Sequence, residues 1–257
     1  MTYITEKDFL IEVAKGNVAG HAIKHVFGRN SDIDTATVPE DLWPLGGLMD
    51  WPTAAQTLDI VSTSANDDGN PTTNTGAQTL TIEGLDTNFD EISETVTLNG
   101  TSTVTTSSSF RRVNKAYVAT TGTYHGNNEG DITGDQTTSG DNMFDVITAF
   151  GHTQLGRYTV PLNKTAYLLT MFISVDSSKS GATVQMFKNP DAHDTSQPYS
   201  GAKTLVLEFD GVTGEEIWSP RSPTVFAQRT DIWVEVSAVG ANDTAVDVDF
   251  DILLVDN

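Results

Sequence analysis

In residues 245–255, AVDVDFDILLV, apolar and acidic positions alternate from 246 to 252: Val246, Val248, Phe250 and Ile252 fall on one side and Asp247, Asp249 and Asp251 on the other. A period of two is the side-chain spacing of an extended strand, so this stretch predicts a strand with one buried and one solvated face. Four upstream stretches carry the same signature more loosely: TAYLLTMFISV from residue 165, TVQMFK from 183, TLVLEF from 204 and TDIWVEVSAV from 230. Together they predict a C-terminal β-sandwich of jelly-roll type over residues 143–257.

A second, weaker series precedes it. TLDIVSTS, TLTIEGL, ISETVTLNG and FRRVNKAYVAT each offer a few alternating positions between residues 57 and 120, separated by stretches dense in Asn, Asp, Gly and Thr. In ISETVTLNG, Ile92, Val96 and Leu98 alternate with Ser93, Thr95, Thr97 and Asn99, which places the threonines on the wet face and the acids in the preceding turn. Residues 120–142 are rich in Gly, Asn and Asp and read as a loop or hairpin tips near a boundary. A first β region over residues 57–142 follows.

The N-terminal part differs. Thr5, Asp8 and the apolar run after them resemble a capping-box start, and Gly16 with Gly20 stop the helix after about ten residues. GHAIKHVFGRN then alternates like a strand. In residues 37–56, Pro39, Pro44, Pro52, Gly46 and Gly47 forbid regular structure, yet Leu42, Trp43, Leu45, Leu48, Met49 and Trp51 are too apolar for an idle linker. Residues 1–56 are therefore expected to form a short helix and an extended Trp/Pro-rich arm. Its Leu42, Trp43, Leu45, Met49 and Trp51 would either cover the chain's own core or anchor a partner. On the anchor reading, the body folds without residues 1–55. The fold class is all-β: helix and arm, then two sandwich-like regions.

Composition agrees. Only 37% of the residues are apolar and 19% charged, and cysteine is absent, which removes disulfides, thiolate metal sites and a cysteine nucleophile. No apolar run approaches the roughly 20 residues of a membrane span, and the acidic start does not resemble a secretory signal. These features predict folding in a cytoplasm with no membrane partner. The formal charge is −21, and no Lys or Arg occurs between Arg29 and Arg111. Such a surface repels phosphate backbones, so free nucleic acid is not an expected partner.

Candidate chemistry is sparse. Asp86, Asn88 and Asp90 have calcium-loop spacing, but Glu91 and Thr97 stand where glycine and glutamate belong; an Asx turn is the simpler reading, and Asn66, Asp67 and Asp68 read the same way. His21 and His25 are four apart as zinc histidines on a helix would be, but a strand is expected here and Ala22 replaces the glutamate of a metalloprotease motif. His125, His152 and His193 stand alone among polar residues. Phe110, Arg111, Arg112 and Lys115 form the one basic cluster of the body, read as offsetting nearby carboxylates. Neither a nucleophile elbow nor a phosphate loop occurs. No catalytic residue, metal ligand or cofactor is assigned.

The phrases GRNSDIDT, PEDLWPLGG, STSANDD, IEGLDTNFDEISETVTLNGTSTV and YTVPLNKTAYLL, in this order, resemble a group of tailed-bacteriophage virion structural proteins across residues 25–170. The resemblance implies a non-enzymatic component of a virus particle assembled in a bacterial cytoplasm. A capsid decoration, cement or head-fibre-base protein, attached through the arm to the major capsid protein and self-associated as a trimer, is the leading expectation. A tail adaptor or glycan-binding fibre module is the alternative, and a virion-borne glycan hydrolase a third.

Overall fold

The computed structural model describes residues 6–70, 72–176, 178–196, 198 and 201–257. Helix α1 (Glu6–Ala14) is followed by β1 (His21–Ile33), β2 (Glu40–Asp41), β3 (Leu58–Ser62), β4 (Ala77–Leu85), β5 (Glu91–Thr97), β6 (Val104–Thr105), β7 (Arg112–Thr121), β8 (Ile132–Gln136) and β9 (Asn142–Val146). The second half adds β10 (Arg157–Thr159), β11 (Lys164–Val175), β12 (Ala182–Asn189), β13 (Thr204–Val212), β14 (Gly214–Trp218), β15 (Thr224–Phe226), β16 (Asp231–Val239) and β17 (Thr244–Asp256). Among the described residues the protein is all-β apart from α1. Thr5, on which the capping-box expectation rests, lies outside the described residues.

Four antiparallel sheets make two layered bodies. In the C-terminal sandwich, a sheet ordered β1-β17-β11-β14, with β15 also on β11, faces a sheet ordered β10-β16-β12-β13, with β2 on β16. Between them lie the alternate residues that the pattern singled out: Val246, Val248, Phe250 and Ile252 from β17 meet Met171, Ile173, Val184, Met186, Val234 and Val236. The first region pairs a β6-β3-β8-β9 sheet with a β5-β4-β7 sheet around Ile60, Leu80, Ile82, Phe110, Ile132 and Phe144.

The boundaries expected at residues 56 and 142 are not where the sheets divide. β1 pairs with β17 from His21↔Val255 to Ile33↔Thr244, and β2 pairs with β16, so the supposed arm supplies two strands of the C-terminal sandwich. β9 belongs with β8 in the first region, although it straddles the expected boundary. The reason is physical: a thirteen-residue β17 with both edges free would leave a long row of backbone groups unpaired, and β1 satisfies one of them. Where β1 crosses the facing layer, the chains touch backbone to backbone. A Cβ on Gly28 would lie 2.3 Å from the Gly156 Cα, so only glycine fits there.

Candidate functional site

The two bodies meet along a seam, and the segment between β2 and β3 fills it. Gly46 and Gly47 take positive φ, which curls residues 43–47 so that the Trp43 indole Nε1 donates to the carbonyls of Gly46 (2.8 Å) and Gly47 (3.2 Å). Glu40 Oε2 accepts the Gly47 amide at 3.0 Å, and Asp41 Oδ2 the Met49 amide at 2.7 Å. Leu42 donates to the Val234 carbonyl and accepts from the Gly156 amide.

Leu42 is 0% exposed, and Trp43 and Met49 are each 4% exposed. Leu42 joins the sandwich core, Trp43 and Met49 join the core of the first region, and Trp51 packs half-buried against the latter. This is a lid over the chain's own interior. Among the five residues expected at a partner surface, Leu45 alone is exposed, at 46%, with neighbouring Leu48 beside it. The anchor reading of Leu42, Trp43, Met49 and Trp51 is thereby corrected: Pro and Gly forbid a strand here, but local carboxylates and positive-φ glycines close the loop inward.

Every residue of β16 from Asp231 to Val236 is buried. Ile232, Val234 and Val236 face the sandwich core, while Trp233 packs on the other side with Phe187, their rings stacked at 5.7 Å, and with Trp51 at 5.2 Å. The outer face of this sheet is thus the floor of the seam.

Arg112 fixes the seam. Its Nε and one terminal nitrogen each lie 3.0 Å from an Asp231 oxygen, and its other terminal nitrogen donates to the carbonyls of Pro52 (2.6 Å) and Arg111 (2.9 Å). Thr159 Oγ1 adds a 2.6 Å bond to Asp231. Arg157, 1% exposed, donates to the carbonyls of Asp50 and Met143, and Arg112 and Arg157 both lie about 5 Å from the Trp51 ring centre. The sequence reading of Arg111 and Arg112 as charge-offsetting residues holds for Arg112, with a partner more than one hundred positions away.

Two openings flank this seam. One is a cavity of about 270 Å³ bordered by Trp51, Trp233, Arg111 and Lys203. The other is a groove of mixed polarity beside β1, formed of adjoining spaces of about 320 and 240 Å³ that share His25, Asn114 and Lys115. In the groove, His25 Nδ1 lies 2.9 Å from Asp251 Oδ1 and His152 Nδ1 lies 2.8 Å from the Thr153 carbonyl, so both rings are oriented by neighbours. His21 bonds instead to the Ala19 carbonyl; on a strand it stands roughly 13 Å from His25, and the two are not brought together.

The acidic loops bind their own backbone. Asp86 Oδ1 accepts the amides of Asn88 (2.7 Å) and Asp90 (3.0 Å), which is the Asx turn expected. Asp67, fully buried, accepts the amides of Ala77, Glu129 and Gly130 and the Ser62 hydroxyl, and so ties three loops together.

Desolvation pushes two buried carboxyls, Asp41 and Asp145, up to about 7, and Asp145 on β9, close to Asp131, is the better case for a test. A raised carboxyl is destabilising when ionised: between the unfolded value near ~3.9 and 7 the folded state holds a proton that the unfolded chain releases, so stability falls as pH rises through that window. Asp145→Asn is expected to raise stability at pH 8 by on the order of 1–3 kcal/mol and to change it little near pH 4. Melting temperatures of parent and variant at both pH values check this; an equal difference at the two would refute the assignment.

The sandwich also has an open flank. β13 ends one sheet, and β14 with β15 ends the other; Leu205, Ile217 and Val225 on these strands are exposed, Ile217 at 68%. Glu208 and Asp210 lie on β13 with Leu205, and Glu215 and Glu216 on β14 with Ile217.

No protein-family model matches the sequence, and no curated protein does. Among solved structures, the chain is similar to infectious bursal disease virus, Gt strain (12% identity, 92% of this chain and 72% of that one, TM-score 0.27). It is similar to the VP2 subviral particle of the same virus (10%, 92% and 72%, TM-score 0.27). It is also similar to a carbohydrate-binding module of the β-sandwich superfamily (11%, 93% and 98%, TM-score 0.19). Scores of this size assign no role.

Proposed function

We propose that the chain is a non-enzymatic structural component of a bacteriophage particle, a decoration, cement or head-fibre-base protein bound to the major shell protein. The ordered sequence phrases that resemble those of tailed-bacteriophage virion proteins support the setting. The observation that carries the role is the open flank of the C-terminal sandwich, where two sheets end in strands with one unpaired edge that bear Leu205, Ile217 and Val225. Natural sheets protect such edges, and one left long and apolar is suited to a partner. Its acidic border and the net charge of −21 favour a cationic surface on that partner. With the Trp/Pro segment turned inward, attachment is assigned to this flank in place of the arm.

Ile217→Lys with Leu205→Lys should leave the purified protein folded, because both side chains point to solvent, and should abolish its incorporation into particles. Quantitative mass spectrometry of purified virions reads the result. Normal incorporation of the double variant rules out the flank, and a copy number matching the tail in place of the shell rules out decoration.

A further inference from the structure

Four of the six arginines, Arg111, Arg112, Arg157 and Arg229, gather at the seam of a chain that is otherwise strongly acidic. Arg112 has Asp231 as its ion-pair partner, and Lys203 has Glu235 at 2.5 Å. Among the described residues, none of Arg111, Arg157 and Arg229 pairs with a carboxylate, and the Nε of each is buried without a hydrogen-bond partner. Thr230 Oγ1, next in sequence to Arg229, is unpartnered too.

Arg111 is the one of these three that reaches the 270 Å³ cavity. It is 6% exposed, donates to the Ala192 carbonyl at 3.0 Å and lies over the Phe89 ring at 4.7 Å. A guanidinium removed from water with no carboxylate in ion-pair contact is costly, Asp231 nearby being engaged by Arg112, and an anion in the adjoining space would relieve it. Lys203 brings a second cation to the same wall, 4.0 Å from the Phe187 ring centre. The rest of the wall is amphipathic: Trp51 and Trp233 offer apolar ring surface, and Asn189 and Thr195 offer hydrogen-bonding groups. Asp194, which accepts the Ser196 amide at 2.9 Å, and the Arg112–Asp231 pair also stand in this wall.

We propose that this cavity binds a sugar acid, its carboxylate held between Arg111 and Lys203 and its hydroxylated ring set against Trp51 and Trp233. A single carboxylate matches Arg111, the one cation of this wall without an ion-pair partner among the described residues, since Asp231 holds Arg112 and Glu235 holds Lys203; a polyanion would meet the acidic surface beyond the rim. The inference does not depend on where in a particle the chain sits.

The test is calorimetric titration of the full chain at pH 7 with glucuronate, galacturonate and N-acetylneuraminate, and with glucose and sulfate as controls. At least one sugar acid should bind saturably, roughly tenfold or more tighter than glucose, and sulfate should not displace it. Arg111→Met and Lys203→Gln should each weaken that binding by about tenfold or more, near-ultraviolet circular dichroism reporting whether each variant is folded. If a variant fails to fold, the discrimination between sugar acid and glucose by the parent decides alone. Absence of binding by all three acids, equal binding of glucose, displacement by sulfate, or an undiminished affinity in a folded variant overturns the proposal.

Discussion

Arg112→Met is expected to lower the stability of the protein by about 3–5 kcal/mol, because it leaves Asp231 charged and buried at the seam with the Thr159 hydroxyl as its remaining side-chain partner. Asp231→Asn alone should have a similar effect, by stranding Arg112 beside Arg111 and Arg157. The double variant should lose clearly less than the sum, since each single change is harmful through the charge it abandons. Urea unfolding of all four proteins closes the cycle. Additivity within about 0.5 kcal/mol would show that the pair does not act as a unit. The methionine also withdraws the donor that reaches the Pro52 carbonyl. Trp51 fluorescence should therefore report loosening of the seam before the sandwich core melts.

Removing residues 1–55 has the larger expected consequence. The truncation deletes β1 from the flank of β17, β2 from β16, Leu42 from the sandwich core, and Trp43 and Met49 from the core of the first region. No soluble, cooperatively folded body should remain. Removing residues 1–18 takes away little more than α1, whose contact with the sandwich includes Phe9 against His21 at 5.7 Å. It should lower the melting temperature by only a few degrees. Thermal unfolding and size-exclusion chromatography of the two truncations separate them. A sharp transition at the parental temperature in the longer truncation would show that the N-terminal segment is an arm after all.

The contrast shows what a sequence makes legible. β17 is readable because its inner and outer faces differ in polarity at each step from Val246 to Ile252. β16 is not readable as a seam strand, because Asp231, Trp233 and Glu235 look like a mixed outer face until the first region is seen to cover them. Strand β1 shows its own periodicity but not its partner, since antiparallel pairing across most of the chain leaves no local mark. The short strands β2, β6, β10 and β15 hold two or three residues each and carry too few positions for a period to appear. Among the chemistry-bearing residues, the Asx turn at Asp86 is local and was readable. Asp67, Arg112 and Asp231 act across distances of tens to more than one hundred positions, and nothing near them in sequence marks their partners. Leu42, Trp43 and Met49 are too apolar for a linker, and that much is legible in the sequence. Which surface they cover is decided by Glu40, Asp41 and two glycines with positive φ, a matter of three-dimensional closure.

The pairing of His21 with Val255 also sets a schedule for folding on the ribosome. At about 5–20 residues per second, β1 emerges on the order of 10–40 s before β17 is complete. During that interval Ile23, Val26, Phe27 and Ile33 have no mate, and the intervening region must condense while tethered to an unfinished strand. Lys24 and Arg29 interrupt this stretch with charge at the positions that later meet Ile252 and Asp247, and so act as gatekeepers against premature aggregation of the waiting strand.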